Sequence, residues 1–212
     1  MEIVLPSAQE YALQNSEQQD DLLRELHEHT LSHHPEAHMI SGPLQGQLLT
    51  MISQMIQPKR ILEIGTFTGY SALCLAKGLA EDGMLHTIEK READAATANL
   101  FFKKSDLAKK ITLHIGNALE VISNLEESWD LVFVDADKTG YTTYYEYLID
   151  RVHPNCWLLF DNVFFHGDVL KENIQGKNGK AIHEFNQHVS SDHRVEKLML
   201  TVRDGLTLVR KK

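Results

Sequence analysis

Apolar residues recur at two different periods along this chain, and the period changes near residue 59. Before that point, Leu22, Leu23 and Leu26 share one side of a helix-compatible stretch over 7–31. It opens with Ser7-Ala8-Gln9-Glu10, whose S-x-x-E spacing is that of a capping box. Ser41-Gly42-Pro43 opens a second helix, proline being tolerated in a first turn, and Pro58 ends it. Its Leu44, Leu48, Met51, Ile52 and Met55 follow three- and four-residue steps, which predicts that they form the buried face. Beyond Lys59 come short apolar runs at 61–64, 84–88, 111–115, 131–134 and 156–160, separated by stretches such as 71–79, 91–103 and 141–152 that can form crossover helices. Strand–helix alternation of this kind predicts a doubly wound α/β fold around a mostly parallel sheet, covered by helices on both faces. Runs at 196–202 and 206–210 flank Arg203-Asp204-Gly205, a tight-turn signal that predicts a closing antiparallel hairpin.

With 212 residues the chain is expected to be a single domain, a helical cap over 1–57 on a core over 58–212. Twenty-one Lys and Arg against 30 Asp and Glu leave a net charge of −9, which repels phosphate backbones and sets nucleic acid aside as a partner. Apolar runs stay below the ~18 residues of a membrane span, and the N-terminal stretch lacks the basic and apolar regions of a signal peptide. Cys74 and Cys156 sit far apart inside apolar runs and read as reduced core residues, so a cytoplasmic location is expected.

In an open parallel sheet, ligands bind beyond the carboxyl ends of the strands, and here each such end carries polar residues. The first run leads into Gly65-Thr66-Phe67-Thr68-Gly69, a G-x-x-x-G turn without the glycine spacing or lysine of a diphosphate cradle. A turn of this kind suits an adenosine ligand lacking phosphates, though it also serves simply to pack helix on strand. Glu63, a carboxylate inside a buried strand, calls for a cation such as a ligand ammonium. Glu89 ends the second run and is placed to accept both ribose hydroxyls; otherwise it is a solvated acid beside Lys90 and Arg91. Asp135 follows the fourth run and Asp161-Asn162 the fifth. On neighbouring strands, ~4.8 Å apart, they would converge as hard oxygen ligands for magnesium, manganese or calcium; the alternative is that the aspartates cap helices. Lys138, three residues beyond Asp135, is expected to have its pKa lowered beside that cation and to act as a base.

These segments carry a resemblance. GPLQGQLL (42–49), RILEIGTFTGYSALCLA (60–76), HTIEK (86–90), GNALEVI (116–122), WDLVFVDADK (129–138), LLFDNVFFHG (158–167) and DGLTLVRK (204–211) resemble, in order and over most of the chain, the cation-dependent class I S-adenosylmethionine O-methyltransferases. That group contains the catechol and caffeoyl-coenzyme A enzymes, and the chain is most similar to the bacterial catechol O-methyltransferases. The resemblance implies a seven-stranded Rossmann-like methyltransferase sheet with a reversed last strand, often in a homodimer. It implies metal ligation by Asp135, Asp161 and Asn162 and a catalytic Lys138, with Asp135 shared between metal and cofactor. Cofactor contacts are implied at Met39, Ser41, Glu63, Gly65, Phe67, Ser71, Glu89 and Ala118. The implied activity is methyl transfer from S-adenosylmethionine to one hydroxyl of a catechol-type small molecule. Two departures, both expected near the acceptor, are Thr207 where animal catechol enzymes carry glutamate and Phe165 where bacterial members commonly carry tryptophan.

Two other readings compete: a methyltransferase acting on hydroxylated uridine in transfer RNA, and a non-catalytic S-adenosylmethionine-binding protein. The acidity of the chain speaks against the first, and the Asp135–Lys138–Asp161–Asn162 set against the second. Five histidines, His27, His29, His33, His34 and His38, read as a solvated loop rather than a metal tract, with His38 next to the pocket residue Met39. Tyr141, Tyr144, Tyr145 and Tyr147 read mainly as helix packing, with Tyr141 or Tyr144 near the acceptor.

Overall fold

The structure, a computed structural model, describes residues 3–212, so the first two positions of the expected cap lie outside the described residues. The chain divides into two compact units, Glu10–Glu127 and Ser128–Lys212 with residues 3–9.

The helix expected over 7–31 is in fact two, α1 (Pro6–Gln14) and α2 (Asp21–His33). Local polar groups make the break. Asn15 Nδ2 and Ser16 Oγ donate to the Tyr11 and Ala12 carbonyls at 2.8 and 2.6 Å, and Asp20 Oδ1 accepts the Leu23 N–H at 2.8 Å as a fresh N-cap. Ser7 lies inside α1 rather than capping it. His27, His29 and His33 belong to α2, which corrects their reading as a loop.

Helix α3 (Gly42–Ile56) forms as expected but buries a different face. Gln45, Gly46, Leu49, Thr50, Ile52 and Ser53 point inward, whereas Met51 and Met55 are 52% and 77% exposed. Small residues decide the orientation. After β1 (Arg60–Ile64) comes α4 (Tyr70–Ala76), and a Cβ on Gly46 would stand 2.6 Å from the Tyr70 ring and 2.9 Å from Cys74 Sγ. Thr50 and Ser53 donate to the Cys74 and Leu75 carbonyls at 3.1 and 2.6 Å. The two helices approach too closely for the bulky row to face inward.

Strand β2 (Met84–Glu89) pairs in parallel with β1 and with β3 (Ile111–Ile115); α5 (Glu92–Phe102) and α6 (Ala118–Ser123) follow β2 and β3. In the other unit β4 (Leu131–Val134) leads through α7 (Tyr141–Ile149) to β5 (Trp157–Asp161), its parallel neighbour. Then come α8 (Lys177–Ser191), β6 (Val195–Leu200) and β7 (Leu206–Lys211), with β7 antiparallel to both β5 and β6. The seven strands make a mixed sheet in the order β3-β2-β1-β4-β5-β7-β6, with the reversed strand that the resemblance implied. The hairpin turn requires its glycine: Gly205 has φ +87°, and a Cβ there would meet Phe164 Cδ2 at 2.3 Å. Tyr141, Tyr145, Phe160 and Phe185 form the aromatic core of this unit, with Phe160 and Phe185 ring centroids 4.7 Å apart. Cys74 and Cys156 are buried free thiols; burial pushes Cys74 up to about 12 and Cys156 higher still, which makes both unreactive.

Candidate active site

The candidate residues fall into two groups, one in each unit. In Glu10–Glu127 they gather at the carboxyl ends of β1 and β2. The turn after β1 needs left-handed backbone at Gly65 (φ 99°), Phe67 (φ 50°) and Gly69 (φ 96°), and it is tied to β2 as Gly65 and Thr66 N–H donate to the Ile88 carbonyl. Glu89 completes the tie. Its Oε2 accepts the Phe67 N–H at 2.7 Å and its Oε1 accepts the Arg91 N–H at 2.9 Å. At 7% exposed it is not a solvated surface acid. A carboxylate has about four acceptor sites, so both oxygens keep capacity for a ligand hydroxyl while the backbone fixes their direction. Glu63 is fully buried and accepts the Thr87 hydroxyl, which also bonds to Thr66 of the glycine turn. Of the other expected cofactor contacts, Met39 is 37% exposed in a short 3-10 turn and Ser41 is buried just before α3. Ser71 is buried in the first turn of α4, and Ala118 opens α6 behind the N-cap Asn117, whose Oδ1 accepts the Leu119 N–H at 3.1 Å.

In the unit Ser128–Lys212, β4 and β5 run parallel in a register that pairs Val134 with Phe160. The next residue on each strand is an aspartate, so Asp135 and Asp161 sit at neighbouring strand ends. Neither caps a helix. Asp135 Oδ1 is 2.8 Å from Lys138 Nζ, and Asp161 Oδ1 accepts the Asn162 N–H at 2.8 Å. Lys138 Nζ also donates to Tyr141 Oη at 2.8 Å, and that hydroxyl donates to the Asp161 carbonyl at 2.9 Å. The chain Asp135–Lys138–Tyr141–Asp161 therefore joins both strand ends through one buried phenol. The sequence leaves Tyr141 and Tyr144 as alternatives near the acceptor, and the fold shows Tyr141 as the partner of Lys138.

The chain's own groups act on Lys138 in the opposite direction from the cation the sequence expects beside it. Burial opposes the charged form of Lys138, but Asp135, the Tyr141 oxygen and Asp161 outweigh it and hold the ammonium well above the ordinary lysine range. Desolvation raises Tyr141 as well, so the phenol stays neutral. The chain's own groups thus raise Lys138 rather than lower it; only additional positive charge would reverse the sign. Asp204, which the sequence did not flag, also lies in the field of Lys138. Burial raises its carboxyl, its Oδ1 accepts the His166 N–H at 2.7 Å, and its buried Oδ2 makes no hydrogen bond among the described residues.

The loop after β5 has non-glycine residues in left-handed conformation at Asn162 (φ 55°), Phe165 (φ 45°) and His166 (φ 55°). It is fastened to the hairpin turn by Val163 and Phe164 N–H donating to the Gly205 and Asp204 carbonyls, and by Asn186 Nδ2 donating to the Val163 carbonyl at 2.7 Å. Thr207 lies opposite Phe160 in the β5–β7 register, buried, with its hydroxyl unbonded among the described residues.

Among the described residues no group of three His, Cys, Asp or Glu side chains gathers as a metal site. The donor set of Asp135, Asp161 and Asn162, two carboxylates and an amide at adjacent strand ends, is chemically suited to a hard divalent cation and not to zinc or copper. Among the described residues no helix is long and apolar enough to cross a membrane.

The sequence profile of a family described as O-methyltransferase matches residues 13–212. A caffeoyl-CoA O-methyltransferase of Stellaria longipes is 32% identical over 200 residues, covering 89% of this chain and 83% of that one. Among solved structures, the SAH-bound methyltransferase PaMTH1 of Podospora anserina superposes with a TM-score of 0.90 at 32% identity, covering 99% of this chain and 98% of that one. The O-methyltransferase TomG of Streptomyces achromogenes, solved with SAM, gives 0.86 at 27% identity over 97% of this chain and 96% of that one.

Proposed function

Because this chain belongs to the family of S-adenosylmethionine-dependent O-methyltransferases, we propose that its acceptor is a catechol-type small molecule, one of whose adjacent aromatic hydroxyls receives the methyl group in a reaction that depends on a divalent cation. The observation that carries this reading is the pairing of Val134 with Phe160, which brings Asp135 and Asp161 to neighbouring strand ends with Lys138 bonded between Asp135 and Tyr141. Binding the donor alone needs no such set.

In the donor half, Glu89 receives the ribose hydroxyls on oxygens already directed by the Phe67 and Arg91 N–H groups, and Glu63 supplies the counter-charge for the donor's ammonium. Gly65 and Phe67 shape the turn that lets backbone approach the ligand, with Met39, Ser41, Ser71 and Ala118 on the surrounding segments. In the acceptor half, Asp135, Asp161 and Asn162 would hold the cation, magnesium being the first candidate and manganese and calcium the others; it supplies the positive charge that acidifies a phenol of ordinary pKa ~10. Lys138 handles the proton. As the ammonium that Asp135 and Asp161 favour, it would stabilise a developing phenolate; with a cation held by those carboxylates it would be the nearby amine for the hydroxyl proton. Tyr141 fixes the position of Nζ for either role. Thr207 and Phe165 replace larger polar and aromatic groups of relatives and tune which acceptor is held.

A panel of catechols, caffeoyl thioesters and flavonoids, assayed with labelled donor with and without chelator, tests the proposal. Activity on at least one vicinal diol, abolished by chelator and by Asp161→Ala, is expected. Full activity in excess chelator, or turnover confined to acceptors with a single hydroxyl, would refute it.

A further inference from the structure

Around Phe67 and Glu89 stands a charged cluster to which the transfer chemistry assigns no role. Arg91, the residue before α5, donates its N–H to Glu89 Oε1 at 2.9 Å, and its guanidinium does more. Nε lies 2.5 Å from Asp94 Oδ2 and 3.8 Å from Glu89 Oε1, Nη1 is bonded to Glu36, and the guanidinium carbon stands 5.5 Å from the centroid of the Phe67 ring. His34 also meets Phe67, edge-to-face at 4.5 Å and 83°. Its Nδ1 accepts the Glu36 N–H at 3.0 Å, which leaves Nε2 as the protonated nitrogen donating to Asp94 Oδ1 at 3.0 Å. Asp94, 4% exposed in the first turn of α5, thus has His34 hydrogen-bonded to Oδ1 and the Arg91 guanidinium in ion-pair contact with Oδ2, an oxygen that makes no hydrogen bond among the described residues. Its two partners come from different stretches of chain, and both lie against the Phe67 ring.

The arrangement is more than a surface ion pair. A guanidinium can stack on a ring while its two edges bind separate carboxylates; a lysine ammonium cannot do both. Through Glu36 and His34 the cluster stitches residues 34–36 to the start of α5. Three residues further along this segment comes Met39, followed by Ser41. One set of contacts thus bears on the Phe67 ring, on the charge beside Glu89, whose oxygens the backbone N–H groups direct, and on the anchorage of the segment leading into Met39 and Ser41.

We infer that Arg91, with His34 and Asp94, is a positioning device for the methyl donor, holding Phe67 and Glu89 in their binding geometry and latching the segment before α3 in place. This rests on the reading of Phe67 and Glu89 as donor contacts. Arg91 acts on affinity for the donor and not on the transfer step, because it directs groups that hold the donor and touches none of the acceptor-side residues described above. The Arg91–Glu36 part is half-exposed, so salt screens it, while the His34–Asp94 part is shielded.

The test measures S-adenosylhomocysteine affinity by calorimetry and steady-state kinetics on the full chain. Arg91→Ala is expected to weaken the affinity about tenfold, the loss of one charge-assisted hydrogen bond, and to raise KM for the donor while kcat at saturating donor stays within about twofold. Arg91→Lys should recover only part of the loss, and His34→Gln, which removes the other ring contact, should weaken affinity about threefold. Raising salt from 0.05 to 0.5 M should weaken binding in the native chain more than in Arg91→Ala. Unchanged affinity in Arg91→Ala, full recovery in Arg91→Lys, or equal salt slopes would overturn the inference. Glu89→Ala separates it from the underlying reading: if that variant binds the ligand normally, the donor site itself is misassigned. If Glu89→Ala loses binding while Arg91→Ala keeps it, only the positioning role falls.

Discussion

Removing the Tyr141 hydroxyl should cost both stability and rate, and the size of each follows from the bonds described. The phenol is fully buried, accepts from Lys138 Nζ at 2.8 Å and donates to the Asp161 carbonyl at 2.9 Å. Tyr141→Phe keeps the ring and its edge-to-face contact with Phe185, at 5.4 Å between centroids, so the packing loss is small. It leaves a mostly buried ammonium one acceptor short and a buried carbonyl without this donor. A hydrogen bond to a charged group contributes about 1.5–3 kcal/mol and a neutral one about 0.5–1.5 kcal/mol. Together about 2–4 kcal/mol is lost. For a chain of 212 residues, at about 2–4 °C per kcal/mol, Tm should fall by about 5–15 °C in a thermal melt. Lys138 loses the contact that fixes Nζ, so kcat should fall by tenfold or more with S-adenosylhomocysteine affinity unchanged. Coupling with Lys138→Met in a double-mutant cycle should exceed about 1 kcal/mol. A Tm drop under 2 °C together with native kcat would refute the argument that this phenol links the two strand ends.

Other outcomes are equally specific. Gly205→Ala places a Cβ at φ +87° and 2.3 Å from Phe164, so a loss of about 2–4 kcal/mol is expected in urea unfolding; less than about 0.5 kcal/mol would show that the hairpin turn relaxes freely. Thr207→Val removes a buried hydroxyl that lacks a hydrogen bond among the described residues and should leave Tm unchanged or raise it by a few degrees, a clear fall marking a hidden partner for Oγ1. Burial lowers the imidazoles of His86 and His114, which face each other at 3.1 Å; Glu127 only partly offsets this for His86. The unfolded chain, with ordinary histidines near pKa 6.5, then takes up protons first. Stability should therefore decline as pH falls below about 7 and level off beneath the depressed folded values, and His114→Gln should flatten a Tm-against-pH series over that window. Arg194→Ala, whose guanidinium pairs with Glu146, Asp150 and Asp192 while 42% exposed, should cost less than about 1 kcal/mol, most of it recovered as a smaller salt dependence of Tm.

The strands were legible because β-branched and aliphatic runs between polar breaks mark buried parallel strands whatever packs on them, and the candidate acids were legible because they end those runs. What escaped the sequence depended on contacts between distant segments. The facing of α3 follows from Gly46, Thr50 and Ser53 seating on α4, and no periodicity count reveals that small residues outrank a row of methionine and leucine. The α1–α2 break was written in Ser16 and Asp20, but the three- and four-residue steps of Leu22, Leu23 and Leu26 read as the continuation of the helix that opens at Ser7. The pull of the chain's own groups on Lys138 depends on the positions of two carboxylates and a phenol at once. Arg91 looked like a surface residue beside Glu89, since its partners Glu36, Phe67 and Asp94 are assembled only by the fold.

The loop after β5 holds three side chains in a costly backbone conformation. Left-handed backbone disfavours a side-chain-bearing residue by roughly 1–2 kcal/mol, least for asparagine, so Asn162, Phe165 and His166 together forgo a few kcal/mol that glycine would return. Breeding this protein for heat resistance alone would be expected to drift those three positions toward glycine, and lineages that resisted the drift would reveal which of the three side chains the enzyme cannot spare.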